Sequence, residues 1–252
     1  MSAMLPHQIM TSRGPLPSLL WLPQRATGLV PGIVVFQEIY GLSDYVRARC
    51  ADLAELGYAV LAPQLFARLD PPVAAVQEHG VEPQDALAEA LELGGKLNWD
   101  LAVKDGLSAM SALGRLGPVK KKKVAVLGFC LGGGLAFNVA AAAATAGRPA
   151  AALVSYYGST LPQLLDLAPQ VECPSLHVFG TDDDYIPMEQ VERIREAVTD
   201  GGAREQVRFE LHAGAGHAFD NPNPLFFHEE ASKAAWAQTQ EFLAAELPID
   251  GP

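Results

Sequence analysis

Cysteine is scarce in this chain: three residues, Cys50, Cys130 and Cys173, scattered over 252 positions. That is too few for a disulfide framework or a four-ligand zinc site, and the odd count fits a reducing compartment. Basic charge is also short, with 18 Lys and Arg against 29 Asp and Glu and a net charge of −11. Such a balance argues against a surface built for polyanions, so no nucleic-acid partner is expected. The one dense basic run, Lys120 to Lys123, follows Gly117-Pro118 and reads as a solvated loop. No stretch approaches the ~18 consecutive apolar residues of a membrane span. Met1 to Gly14 lacks a basic segment followed by a long apolar one, so neither a membrane partner nor a secretory leader is expected. A cytoplasmic location follows as the expectation. There is no H-E-x-x-H and no compact carboxylate–histidine set, so neither a metal nor a cofactor is expected.

What the chain does have is apolar material, 49% of its residues, enough for a sheet covered on both faces. Short apolar runs alternate with longer helical patterns, which predicts an α/β fold with a mostly parallel central sheet and helices on both faces. Strands are predicted at Gly32 to Phe36, Tyr58 to Ala62, Val124 to Leu127, Ala152 to Tyr156, Ser175 to Phe179 and Gln206 to Leu211. Leu16 to Leu22 is a candidate edge strand, with prolines against it. Helices are predicted at Asp44 to Leu56, Leu101 to Leu113, Leu131 to Ala146, Glu189 to Val198 and Glu229 to Leu243. With no repeat and no linker, residues 1–252 read as one domain. The irregular stretch Pro63 to Asp100, with a possible helix at Gln84 to Leu93, reads equally as a lid or as a surface excursion.

The strongest chemical signal is Gly128-Phe129-Cys130-Leu131-Gly132, between a buried strand and a helix. Small residues flanking a central nucleophile are what a sharp strand-to-helix elbow requires, and the elbow exposes that side chain at the positive end of a helix dipole. A lone cysteine at such a turn can also be purely structural; the spacing and context favour the nucleophile. A nucleophile needs a base, and the base an orienting acid. Downstream lie Asp182, Asp183 and Asp184 after one strand, any of which could serve, and then His217 in Ala213-Gly214-Ala215-Gly216-His217 after the next. The order nucleophile, acid, histidine is that of α/β-hydrolases. The other histidines compete poorly: His177 reads as a satisfied core residue, His212 as a strand end, and His7, His79 and His228 lack a catalytic pattern.

With Gln37-Glu38-Ile39-Tyr40-Gly41, the cysteine elbow, the Gly180…Asp183…Pro187 segment and Gly216-His217-Ala218-Phe219, the chain resembles the dienelactone hydrolase family of α/β-hydrolases over about residues 15–245. The resemblance implies an α/β-hydrolase fold with Cys130 as nucleophile, His217 as base and Asp183 as its orienter. It implies that Glu38 interacts with the thiol and that the backbone N–H groups of Leu131 and Ile39 form the oxyanion hole. Tyr40, Tyr157, Phe219 and Asn221 are candidate substrate-lining residues, Tyr157 reading equally as a core tyrosine.

The implied activity is hydrolysis of a small-molecule ester or lactone through an acyl-cysteine, in the manner of carboxymethylenebutenolidase (dienelactone hydrolase). The alternatives are an acyltransferase or redox-active thiol on the same fold, and a non-catalytic small-ligand binder. In one respect the chain departs from the family. Members acting on dienelactone anchor its carboxylate with arginines, yet here Pro71 to Val103 holds no arginine, Lys96 is its only lysine, and Asn221 stands four past His217. Neither residue reproduces a bidentate guanidinium fork, so a neutral or differently anchored ester, lactone or thioester is expected. The oligomeric state is not legible.

Overall fold

The computed structural model describes residues 3–24 and 28–249. The chain divides into two compact units, residues 1–126 with 249–252, and residues 127–248. The first holds an antiparallel hairpin, β1 (Met4–Thr11) and β2 (Gly14–Trp21), followed by β3 (Val30–Phe36), helix α1 (Asp44–Glu55) and β4 (Ala59–Pro63). After a short 3-10 turn (Leu65–Arg68) come helices α2 (Pro83–Gly95) and α3 (Trp99–Leu113), then β5 (Val119–Phe129), which runs on into the second unit. The second unit continues with α4 (Leu131–Thr145), β6 (Leu153–Tyr156), two 3-10 turns (Leu161–Gln163 and Leu165–Gln170), β7 (Ser175–Gly180), α5 (Met188–Thr199), β8 (Val207–His212) and α6 (Glu229–Glu246). The eight strands follow the order β1-β2-β4-β3-β5-β6-β7-β8. Pairing is antiparallel for β1–β2 and β2–β4, and parallel for β3–β4, β6–β7 and β7–β8.

In the first unit every residue of β3 and β4 is buried. Successive side chains point to opposite faces, so complete burial means both faces are covered, as the apolar runs predict. Helix α1 begins where Ser43 Oγ accepts the Val46 N–H at 3.4 Å, and ends at Gly57, whose φ of +110° lets the chain turn back into β4. Asn98 caps α3 in the same way, accepting from Leu101 N at 2.9 Å. Helix α2 starts with Pro83 in its first turn, where a missing N–H costs nothing. The Arg68 guanidinium makes two bonds to buried Asp105, at 2.9 and 3.1 Å, and also donates to Thr11 Oγ1, tying the turn after β4 to α3 and to the hairpin.

Two expectations need correction here. The segment Leu16 to Leu22 is a strand, but lies between β1 and β4 rather than at an edge. Pro17 is tolerated there because its carbonyl accepts from Gln64 N at 2.9 Å, so its amide edge faces away from β1. The true edge is β1, which carries a single buried residue, Ile9, and so offers no periodic apolar signal. Lys120 to Lys123 is not a loop but the first half of β5, with Lys121, Lys122 and Lys123 exposed. Backbone pairing tolerates solvated charges on a strand end that no layer covers.

The insertion is partly anchored within its own unit. Val76 N donates to Tyr40 O at 2.8 Å, Leu42 N donates to Ala74 O at 3.2 Å, and Gly41 bridges Ala75. Gly41 has φ +84°, and a Cβ there would lie 2.7 Å from Ala74 O.

The second unit is built on α4, buried almost all round because its alanines and glycines admit close neighbours. A Cβ at Gly133 would fall 2.8 Å from Tyr156 O, and one at Gly134 would collide with Thr160 Oγ1. The Tyr156 hydroxyl reaches Ala235 O at 3.0 Å and Thr239 Oγ1 at 2.6 Å, fastening β6 to α6. Among the described residues no helix is long and apolar enough to cross a membrane.

Candidate active site

The elbow forms where β5 ends and α4 begins. Cys130 occupies φ 52°, ψ −117°, a sparsely populated conformation for a residue with a side chain, and only 7% of its surface is exposed. The tightness of the turn explains the glycine before it: a Cβ on Gly128 would lie 1.9 Å from Gly132 O. Two backbone bonds hold the strained residue, Cys130 N donating to Tyr156 O at 3.0 Å and Ser159 N donating to Cys130 O at 3.1 Å. Leu131, at the first position of α4, has a backbone N–H with no intrahelical acceptor, at the positive end of the helix.

Asp183 and His217 arrive on loops after β7 and β8 that are laced together. Asp182 N donates to Ala215 O at 3.0 Å, Gly214 N donates to Thr181 Oγ1 at 2.9 Å, and a Cβ on Gly180 would be 2.1 Å from Ala215 O. Asp183 is buried, whereas Asp182 and Asp184 are exposed. Its Oδ1 accepts the N–H groups of Tyr185 and Ile186 at 2.8 and 2.9 Å, which leaves Oδ2 to accept from His217 Nδ1 at 2.8 Å. Because the carboxylate can only accept, it fixes Nδ1 as a donor. His217 Nε2 lies 3.1 Å from Cys130 Sγ. Burial opposes a proton on this ring. The charge of Cys130, the hydrogen bonds of the ring with Asp183 and Cys130, and the charge of Asp183 outweigh it, pushing His217 up to about 10. Buried Asp220, bonded to Ser232 Oγ at 2.7 Å, pins the histidine loop to α6.

The structure therefore brings Cys130, His217 and Asp183 into one hydrogen-bonded line. Tyr157 and Phe219 are fully buried; the Tyr157 ring packs on the imidazole at 5.4 Å and on Phe219 at 5.3 Å. Asn221 is also buried, its Oδ1 accepting from Asn223 N in a local turn. Glu38, Ile39 and Tyr40 belong to the first unit. There Glu38 is 1% exposed and its Oε1 accepts from Ser43 Oγ at 2.6 Å; Tyr40 is buried and Ile39 half-buried. The insertion's arginine, Arg68, is committed to Asp105, and Lys96 pairs on the surface with Glu92.

His177, expected as a satisfied core residue, is core but only half satisfied. Its Nε2 meets Ser175 Oγ at 3.2 Å, while Nδ1 has no partner. Burial and, second, the charge of Arg204 hold it neutral, with its pKa lowered to about 3. Among the described residues, no three His, Cys, Asp or Glu side chains group closely enough to hold a metal ion.

Two neighbours of this line carry no motif. Ser159 Oγ lies 3.7 Å from Cys130 Sγ, and the exposed ring of Tyr185 leans on His217 at 5.0 Å. The available signals were positional: Ser159 follows β6, the strand beside the one that leads into Cys130, and Tyr185 sits two residues after Asp183.

Comparison with known proteins decides the family. The profile of the dienelactone hydrolase family matches residues 16–247. The chain belongs to that family. Within the family it is similar to a carboxymethylenebutenolidase of Pseudomonas sp. (strain P51), 34% identical over 236 residues that cover 91% of this chain and 90% of the relative. It is also similar to one of Pseudomonas putida, 32% identical over 217 residues that cover 85% of each. Among solved structures, a dienelactone hydrolase-like promiscuous phosphotriesterase from metagenomic libraries superposes with a TM-score of 0.76 at 23% identity, covering 98% of this chain and 100% of that one. At that identity the likeness speaks for the α/β-hydrolase fold. Family membership makes the chain a dienelactone hydrolase-like hydrolase.

Proposed function

We propose that the chain hydrolyses neutral carboxylic esters or lactones through a Cys130–His217–Asp183 triad and an acyl-cysteine intermediate. The supporting observation is the unbroken line from sulfur to imidazole at 3.1 Å and from imidazole to carboxylate at 2.8 Å. The raised ring and the helix N-terminus both favour passage of the thiol proton from Cys130 to His217. The thiolate attacks the carbonyl carbon, and the oxyanion is received by the N–H of Leu131, with Ile39 as the second donor on the family resemblance alone. Collapse breaks the C–O bond, and the departing alkoxide takes the proton from His217. For a lactone, that alkoxide stays tethered to the acyl group.

Acylation then changes the base. A thioester carries no charge on sulfur, so the largest influence holding the ring protonated is gone and burial dominates. Neutral His217 takes a proton from water, the hydroxide cleaves the thioester, and the acid leaves. Asp183 keeps the ring oriented throughout. Tyr157, packed on the imidazole and backed by Phe219, serves to hold it in place.

A neutral substrate is supported by the missing anchors. The position of the family's arginine past the histidine is a buried Asn221 engaged in its own turn, and Arg68 is occupied by Asp105. A panel of neutral lactones, aryl esters and thioesters, beside carboxylate-bearing counterparts, is expected to show preferred turnover of the neutral members. Intact-mass spectra should carry one acyl adduct on Cys130. Absence of any adduct across the panel would defeat the reading.

The family resemblance also assigns Glu38 to the thiol. A carboxylate acting on sulfur opposes its charge. Glu38→Gln is therefore expected to move the midpoint of the iodoacetamide-rate profile of Cys130 to lower pH. An unmoved profile removes Glu38 from the account of the thiol.

A further inference from the structure

The proposed triad gives Cys130 one polar partner, His217, yet the sulfur has a second. We propose that Ser159 is a positioning residue of the nucleophile, whose hydroxyl accepts from the Cys130 thiol and turns to donate to the sulfur once the thiol proton has passed to His217. The inference rests on the triad reading and adds a residue to it. Ser159 Oγ stands 3.7 Å from Sγ and accepts from it, within the longer reach of hydrogen bonds to sulfur. A hydroxyl can donate or accept, so it serves the sulfur in either charge state: accepting from a thiol, donating to a thiolate.

The geometry around Ser159 indicates that this distance is set by the backbone rather than by chance packing. The segment from Tyr156 to Ser159 grips Cys130 on both sides, receiving its N–H at Tyr156 O and donating to its carbonyl from Ser159 N. Tyr157 adopts φ 34°, uncommon for a residue with a side chain, and its N–H is held by Val178 O at 2.7 Å. Gly158 follows because a Cβ there would lie 2.8 Å from Leu161 Cδ1 and 2.9 Å from Ser155 Oγ. A strained turn fixed at both ends thus delivers a half-exposed hydroxyl beside a buried sulfur.

Within this unit the other ionisable groups at the sulfur are few. His217 faces it from the loop after β8, and Asp183 and Tyr185 act from the loop after β7 by touching that imidazole. Helix α4 contributes no ionisable side chain over its whole length. A single neutral donor therefore has a visible effect, because hydrogen bonds to charged groups are among the stronger ones.

The test compares wild type, Ser159→Ala and Ser159→Thr in full-length protein. The readouts are the pH profile of iodoacetamide alkylation, kcat/KM for a neutral aryl ester, and thermal unfolding. Ser159→Ala is expected to shift the alkylation profile to higher pH and to slow both alkylation at neutral pH and kcat/KM by about tenfold, the unfolding midpoint staying near that of wild type. Ser159→Thr, which keeps the hydroxyl, is expected to restore the profile. An alanine variant with an unmoved profile overturns the proposal. So does a threonine variant that fails alongside alanine with a lowered unfolding midpoint, since that marks a purely structural role. Failure of the triad reading looks different: wild type would form no acyl adduct with any ester, while the alkylation profile still responded to Ser159→Ala.

Discussion

Replacing Cys130 by alanine is expected to lower turnover of activated aryl esters by about 10⁴-fold or more and to erase the acyl adduct from intact-mass spectra. The size follows from the role. Removing a nucleophile leaves whatever the oxyanion donor and substrate binding achieve alone, and no neighbouring side chain can replace a sulfur held at the elbow. The substitution removes one atom from a site already strained at φ 52°, so the fold is expected to survive it. The other two thiols do not confuse the measurement. Burial, chiefly, raises Cys50 far above the ordinary thiol range and Cys173 to about 12, so neither offers a thiolate at neutral pH. Iodoacetamide should therefore label the native wild-type protein once and the variant not at all. A variant with full activity, or one that still gains an adduct on ester treatment, would remove Cys130 from the mechanism.

The second large effect concerns His217, where alanine is expected to cost about 10³- to 10⁴-fold in kcat/KM. In the proposed mechanism the ring does two jobs, and the alanine variant loses both: the imidazolium that balances the sulfur and protonates the leaving group, and the neutral base that later activates water. The sign of the pH dependence follows from the raised ring. With its pKa at about 10, His217 is protonated through neutral pH, and the protonated form needed for acylation is lost as pH rises through that value. Wild-type kcat/KM should accordingly fall on an alkaline limb centred near 10. In His217→Ala that limb should disappear. A wild-type profile with its alkaline limb near the ordinary histidine value would show that the ring is not held by the sulfur's charge.

Much of this was visible in the chain itself. The valine-rich runs that became β3, β6 and β7 were legible because complete burial selects uninterrupted apolar residues, and α1 was legible from Ser43 and Gly57 at its two ends. The hairpin strand β1 was not, because an edge with one buried side chain has no period to detect. Nor was the strand character of Lys121 to Lys123, since pairing through the backbone leaves no mark on side chains that face water.

Within the candidate site, residue types and spacing pointed to the cysteine, the histidine and a run of three aspartates that the proposed function uses, because chemistry restricts which side chains can serve. The family resemblance already pointed to Asp183; the structure gives the physical ground, since one of the three is turned inward with two N–H groups on one oxygen and an imidazole on the other. Ser159 and Tyr185 emerged only when the loops after β6 and β7 were folded, for no spacing rule links either to residue 130 or 217. Sequence by itself determined which atoms are available for reaction. Tertiary structure alone decided which of them stand within 4 Å of one another, because that depends on how far each strand runs before its loop begins and on which turns are forced into strained backbone to close.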